Sequence, residues 1–310
     1  MIDKLEMFIA LANERHFGRA AQAHGVTQPT LSAAIRALEG ELGVQLVTRG
    51  ARFQGLTPEG ERVLDWARRI VSDTRQMREE MRARRKGLGG VLRLGAIPTA
   101  LPMVADLAGP FLARHPNVRL QVLSRTSAEI LAEMESLQLE AGISYLDNEP
   151  LGRVSTVPLY TERYQLLVRR DHPLAGAGFV GWAALSGLRL GLLVGSMQNR
   201  RIIDQRLARA GVRVEAMLES NSILALVGQV LAGGWATVVT KEAAALFAAR
   251  SDLVALPIEE AEGEAEGASE RVADGGHRVG LIAPWREPHT PLLAALLHEA
   301  GRLARQRGEG

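Results

Sequence analysis

Among the 310 residues there is no cysteine. That absence excludes disulfides, thiolate metal sites, iron–sulfur clusters and any sensing of oxidants through a thiol. Aromatic residues are scarce, at 4%. No stretch approaches the roughly 18 uninterrupted apolar residues that a membrane helix requires. The chain starts Met1-Ile2-Asp3-Lys4 with polar breaks every few residues, so no secretory leader is read there. A cytoplasmic protein with no membrane partner is expected. Catalytic signatures are missing too: no Gly-x-Ser-x-Gly elbow, no phosphate-cradling loop and no His-Glu-x-x-His pair. The expectation is therefore no enzyme, no metal and no cofactor.

What is present is an ordinary globular composition, 46% hydrophobic and 23% charged, with enough length for two or three domains. Net charge is only +2, but it is unevenly distributed. Residues 1–86 hold 15 Lys+Arg against 11 Asp+Glu, leaving 22 against 24 in the rest. A basic head on a faintly acidic body points to an anionic polymer as the head's partner.

The first 57 residues divide into short helices. Leu5, Phe8, Ile9 and Ala12 share one helical face, and Phe17–Ala23 forms a second segment ended by Gly25. Thr27 can cap a third helix with Pro29 in its first turn. Leu31, Ile35 and Leu38 turn to the core, which leaves Gln28, Ser32 and Arg36 together on the opposite face, suited to base edges and phosphates. A plain solvated face is the alternative for such a helix. Helix, glycine turn, helix is the pattern of a helix-turn-helix. Two short strands, Gln45–Thr48 and Arg52–Leu56, would then form a wing whose Arg49 and Arg52 reach phosphates or a minor groove.

Thr57-Pro58-Glu59 is a strong helix start, and the helix should run to Lys86 and stop at the glycines 87, 89 and 90. At 1.5 Å per residue it would be about 43 Å long. Val63, Ala67, Ile70, Thr74, Met77 and Met81 recur at intervals of four and three, a seam that implies coiled-coil pairing. The alternative is a long helix lying on its own domain. From Val91 onward strands and helices alternate: strands at 91–96, 118–123, 141–145, 165–169, 188–193, 235–240 and 279–283, helices near 100–114, 127–138, 200–210, 222–232 and 290–305. Parallel α/β units in two lobes around a cleft are expected. Glu259–Glu270 carries six Glu in twelve residues and reads as an exposed insertion.

The runs Phe17–Ala21, Val26–Ser32, Ile35–Glu39, Leu42–Leu46, Arg49 and Leu56–Gly60 resemble the DNA-binding half of LysR-type transcriptional regulators, almost unbroken from Phe8 to Ile70. The resemblance implies an α/β protein with three parts: a winged helix-turn-helix (1–57), a linker and dimerisation helix with hinge (58–90), and a two-lobed effector domain like a type 2 periplasmic binding protein (91–310). Lobe I would take about 91–161 and 277–310, lobe II about 162–260, and the acidic insertion 259–276. It also implies a homodimer assembling into a homotetramer on a double-stranded DNA operator, with RNA polymerase as a further partner. Thr27, Gln28, Pro29, Thr30, Ser32 and Arg36 match the recognition-helix motif, and Arg49 and Arg52 the wing. The body departs from the family's Leu-x-x-Gly-x-Leu-Asp pattern, with Ser136 read in the glycine's place and Glu140 in the aspartate's. Its runs at 96–104, 123–129, 145–154, 197–204 and 219–222 are similar to a subgroup found beside soluble formate dehydrogenase subunits.

In two-lobed α/β folds ligands bind where strands give way to helix N-termini. Thr99 and Ala100 follow the first strand, Thr126 and Ser127 the second, Tyr145 the third, and Met197, Gln198 and Asn199 lie between a strand and a helix of the second lobe. These residues are expected to receive a small organic anion. The alternative for each hydroxyl is a simple helix cap. Arg200 and Arg201 are a possible neutralising pair or two surface arginines. The stripes Val104, Leu107, Phe111 and Leu224, Val227, Leu231 are either a contact between effector domains or core. The rival functional readings are a small-carboxylate solute-binding module, or an enzyme, carrying an appended DNA-binding head.

Overall fold

A computed structural model describes residues 1–48, 53–247, 252–259, 276–285 and 287–308. Arg49, Arg52 and nearly all of the acidic insertion lie outside the described residues. The chain divides into two units, one of residues 1–89 with 132–138 and 288–291, the other of the remainder from residue 90.

The first unit begins with α1 (Ile2–Glu14), α2 (Phe17–Ala23), α3 (Gln28–Leu42) and α4 (Pro58–Lys86). Leu5, Phe8, Leu11, Leu31, Ile35 and Leu38 form one core with Leu64, Ala67 and Val71 of α4. The tight turn between α1 and α2 is fixed by two local devices. Arg15 takes a left-handed conformation (φ 50°) at the end of α1, and the His16 ring Nδ1 accepts the amides of Gly18 and Arg19 at 3.0 and 3.3 Å. A histidine as N-cap carries no sequence signature of the Ser/Thr/Asp/Asn kind, which is why it escaped the motif reading. Among the described residues of the wing, one antiparallel bridge joins Val47 to Leu56. Thr48 and Thr57 amides add bonds to the Gly55 and Leu46 carbonyls, each 3.0 Å. Glu39 of α3 reinforces it by accepting the Leu46 and Val47 amides at 2.8 and 3.2 Å.

α4 corrects the seam. Ala67 is fully buried in the core of its own unit, and Val63 packs against that core. The face that docks is Leu64, Ala67 and Val71, which keeps the three-and-four spacing but is shifted by one position from the expected Val63 and Ile70. Ile70, Met77 and Met81 stay exposed, at 39%, 58% and 48%, and Thr74 bonds back to the Ile70 carbonyl. Trp66, 62% exposed, lies outside the seam as read from spacing.

The second unit holds two mixed sheets. The first takes β1 (Gly90–Ala96), β2 (Val118–Ser124), β3 (Ala141–Tyr145), β4 (Val154–Glu162) and, late in the chain, a strand at His277–Pro284. The second takes β5 (Tyr164–Arg169), β6 (Val180–Gly181), β7 (Leu190–Leu193), β8 (Leu218–Ser220), β9 (Ala236–Thr240) and β10 (Leu253–Glu259); the His277–Pro284 strand is then β11. Strand order is β2-β1-β3-β11-β4 in the first and β6-β10-β5-β9-β7-β8 in the second. The helices are α5 (Leu101–Arg114), α6 (Ser127–Glu135), α7 (Gln198–Arg209), α8 (Ile223–Ala232), α9 (Lys241–Phe247) and α10 (Pro291–Arg307). Purely parallel units were expected, yet β11 runs antiparallel to both β3 and β4, and β5 antiparallel to both β9 and β10. The cause is topological: the chain leaves the first sheet after Glu162 and returns to it at β11. Glu162, expected to open the second lobe, is therefore the last residue of the first sheet's β4.

Two further expectations change. Val104, Leu107, Phe111 and Val227 are buried core and Leu231 packs on it, so of the two candidate contact stripes Leu224 alone stays strongly exposed. At the end of α6 it is Leu137, not Ser136, that adopts the left-handed conformation (φ 59°), with the Gln138 amide on the Glu133 carbonyl at 2.8 Å. Glu140, in the aspartate's place, grips the Arg93 amide at 2.6 Å and its guanidinium at 2.7 Å.

Candidate functional site

In the first unit, Thr27 caps α3 through the Thr30 amide at 3.4 Å and meets the Thr30 hydroxyl at 2.9 Å. Thr27, Gln28, Pro29, Thr30 and Arg36 are exposed and Ser32 half-buried. Gln28, Ser32 and Arg36 thus share a face opposite the buried Leu31, Ile35 and Leu38, with long donors at its ends and a hydroxyl between. Such a face has the chemistry of direct base readout and phosphate contact.

In the second unit a cavity of about 1090 Å³ opens between Pro98, Arg125, Glu129, Ser196, Asn221 and Ser222. Beneath it is a recess of about 10 Å³ lined by Thr99, Thr126, Ser127, Tyr145, Met197, Gln198 and Asn199. Seven of the eight residues expected at the cleft therefore meet around one recess. Ala100 does not: it is fully buried in the 3-10 turn Pro98–Ala100 and its amide is spent on the Ile97 carbonyl at 2.9 Å.

The choice between ligand contact and helix cap resolves differently at each hydroxyl. Thr126 is a cap, exchanging bonds with Glu129 in a capping box. Those bonds hold the Glu129 carboxyl below its ordinary range against a smaller opposing effect of burial. Thr99 caps nothing, since α5 has no side-chain cap; its hydroxyl meets the Tyr145 hydroxyl at 3.4 Å. Ser127, at the start of α6, is buried with a hydroxyl that has no partner among the described residues. Asn199, in the first turn of α7, donates to the Tyr145 hydroxyl at 3.2 Å and to Glu162 Oε1 at 3.3 Å. Gln198 bridges to the Asp147 carbonyl at 3.2 Å.

The arginines expected as neutralisers are committed elsewhere. Arg200 pairs with Asp204 at 2.9 Å and Glu219 at 2.5 Å, and Arg201 forks onto Glu149 at 2.7 and 2.8 Å. What motif reading missed is Glu162. It is fully buried, hydrogen-bonded to the Tyr145 hydroxyl, and its Oε2 finds no partner among the described residues. Burial pushes its pKa up to about 7, although the Tyr145, Thr99 and Tyr164 hydroxyls turned toward it offset part of that rise. Burial and the Glu162 charge in turn push Tyr145 well above its ordinary value. A single Glu in a strand has no spacing signature; a charged residue ending a run that alternates into a core was the only available hint.

Comparison with known proteins agrees with this layout. The bacterial regulatory helix-turn-helix protein of the lysR family matches residues 2–61, and the LysR substrate binding domain matches residues 85–304. A probable hydrogen peroxide-inducible genes activator of Mycobacterium avium is 35% identical over 284 residues, spanning 90% of this chain and 86% of that protein. The DNA-binding transcriptional dual regulator OxyR of Escherichia coli K12 is 32% identical over 260 residues, 83% and 84% of the two chains. Neither name carries the formate dehydrogenase association suggested by the body's runs. Among solved structures, a full-length OxyR of Pseudomonas aeruginosa with a cysteine-to-aspartate change superposes with a TM-score of 0.73 at 24% identity, over 98% of this chain and 94% of that one. Full-length CbnR complexed with its target DNA gives 0.61 at 22%, over 98% and 100%. These last two likenesses are of fold. With an exposed polar face on α3, an α/β body built around a polar recess, and both halves matched in order along one chain, this protein belongs to the LysR family of bacterial DNA-binding transcriptional regulators and is not an enzyme.

Proposed function

We propose that this regulator reads a specific operator through Gln28, Ser32 and Arg36, supported by Thr27, Pro29, Thr30 and the wing arginines Arg49 and Arg52, and that a small organic anion, seated in the cavity of about 1090 Å³ with its carboxylate turned to the recess, modulates the outcome. The carrying observation is the recess itself. The unpartnered Ser127 hydroxyl, the Thr99 hydroxyl and the first turns of α6 and α7 converge there, and free helix N–H groups favour negative charge. The exposed Ile70, Met77 and Met81, with Thr74 among them, are the part of the seam available to pair two chains, and two such dimers would make the tetramer.

A second reading draws on the relatives named as peroxide-inducible activators. A recess of about 10 Å³ has room for one water-sized guest, so hydrogen peroxide is a candidate occupant. With no cysteine in the chain, such an occupant would act by binding and not by forming a disulfide. The test is Thr99→Val. This variant should keep operator affinity without effector and lose the effector's influence on the DNA footprint, a coupling typically of about 1–3 kcal/mol. Screening small carboxylates and peroxide by thermal shift on both proteins separates the two readings. Normal effector affinity in the Thr99→Val protein would remove the recess from consideration.

A further inference from the structure

The hydroxyl of Tyr145 has one hydrogen and two lone pairs, and three groups compete for them. Asn199 Nδ2 can only donate to it, at 3.2 Å. Glu162 Oε1 is in close hydrogen-bond contact, and Thr99 Oγ1 lies at 3.4 Å with either atom able to donate. The state of the carboxyl therefore decides the direction of the whole chain. With Glu162 ionised, Tyr145 donates to it, the Thr99 hydrogen is drawn inward to the Tyr145 oxygen or to the carboxylate itself, and Thr99 offers the recess a lone pair. With a proton on Glu162 Oε1, the carboxyl donates to Tyr145, Tyr145 donates to Thr99, and the Thr99 hydrogen is freed toward the recess. An acceptor such as a carboxylate is welcome only in the second arrangement.

We propose that Glu162, Tyr145 and Thr99 form a hydrogen-bond chain that takes up a proton when one oxygen of the effector's carboxylate enters the recess, with Glu162 as a positioning residue that the ligand never touches. The inference rests on the anionic-effector reading above and adds a proton to it.

Three placements support the chain. Glu162 ends β4, so its next neighbour carries the polypeptide into the other sheet, while Asn199 reaches Glu162 from α7 of that second lobe. Its Oε2 and the Ser127 hydroxyl, which lines the recess, are both buried without partners among the described residues, so hydrogen-bonding capacity stands unused at either end of the cluster. And Arg200 and Arg201, the cations flanking the α7 start, are tied to Asp204, Glu219 and Glu149, so they do not neutralise a guest.

The charged and titratable groups around Glu162 are few. Tyr164 of β5 turns its hydroxyl toward it, and the Glu242 charge of α9 favours its protonated form. Arg206 of α7 acts on Tyr164, and Arg307 of α10 acts on Tyr160 and Glu242. His277, the register partner of Glu162 on β11, is hydrogen-bonded to Asp147 at 3.0 Å and packs edge-on to Tyr145. A negative guest adds to the Glu242 effect, so it draws the proton on.

The experiment is calorimetry of the full-length protein with acetate as probe, in buffers of low and high ionisation enthalpy between about pH 5.5 and pH 8.5. The proposal expects about one proton taken up per acetate bound at the alkaline end, none at the acid end, and affinity falling up to tenfold per pH unit above about pH 7. Glu162→Gln, whose amide donates to Tyr145 at every pH, should abolish the uptake and flatten the profile. Tyr145→Phe, which cuts the chain without touching the carboxyl, should do the same. Binding with an unchanged affinity across the range and no proton exchange overturns the proposal while leaving the anion reading standing. Proton release overturns it, as does uptake that survives in Thr99→Val, which would place the probe elsewhere. Acetate that binds at no pH to the folded protein overturns the anion reading and the proton chain together.

Discussion

A buried carboxyl with a pKa raised to about 7, against about 4.3 in an unfolded chain, ties folding to protonation at Glu162. Between those values the native state holds a proton that the unfolded state has lost. The resulting stabilisation is complete in acid and disappears as pH rises through 7, a swing of about 4 kcal/mol. Glu162→Gln removes the titration, so its melting temperature relative to the natural protein should rise between about pH 5 and pH 8; parallel curves would sink this. At the DNA face, Gln28→Ala should weaken cognate operator binding by about 1–3 kcal/mol and leave affinity for random DNA nearly unchanged, measured by fluorescence anisotropy on both duplexes. An equal loss on both would mean that Gln28 touches only the backbone. The Thr27 cap and the exposed position of Arg36 were legible in sequence, because each follows from place in a helix. Glu162 and His16 were not, because each owes its role to partners that spacing along the chain does not reveal.

Among the elements, the long helix shows how a spacing rule can be half right. Its limits, Pro58 to Lys86, follow from the Thr57 cap and the glycines beyond, and the structure has those limits. Its inner face is shifted by one position from the expected seam, because Leu64, Ala67 and Val71 are the residues that enter the core the helix shares with α1. In the proposed dimer, Ile70→Asp should bury an unpaired charge and dissociate the pair, whereas Ala67→Asp should unfold the head itself; sedimentation with circular dichroism tells the two apart. The start of the same helix depends on Gly60, where a Cβ would stand 2.1 Å from the Leu46 carbonyl oxygen. Gly60→Ala should therefore cost about 1–3 kcal/mol and lower the first thermal transition without altering the second unit. The strands β4 and β10 went unread because Pro158 and Pro257 sit inside them, and both pair antiparallel with a neighbour supplied from elsewhere in the sequence.

At the scale of the molecule, a regulator without a thiol cannot be switched by thiol oxidants. Operator affinity measured in dithiothreitol and in diamide should coincide, and a difference between them would require a redox group other than cysteine. Sheet connectivity has a consequence for biosynthesis. β11 is inserted between β3 and β4 although more than 110 residues separate it from either. Until that strand leaves the ribosome, β3 and β4 have no partner between them, while β5 to β10 are already complete and can close their own sheet. A chain that ended just before His277, once clear of the ribosome, would thus carry every strand of the second sheet, but a first sheet split down its middle. Such a chain has a reading head and no working sensor, so the last stretch translated determines when the protein can begin to respond.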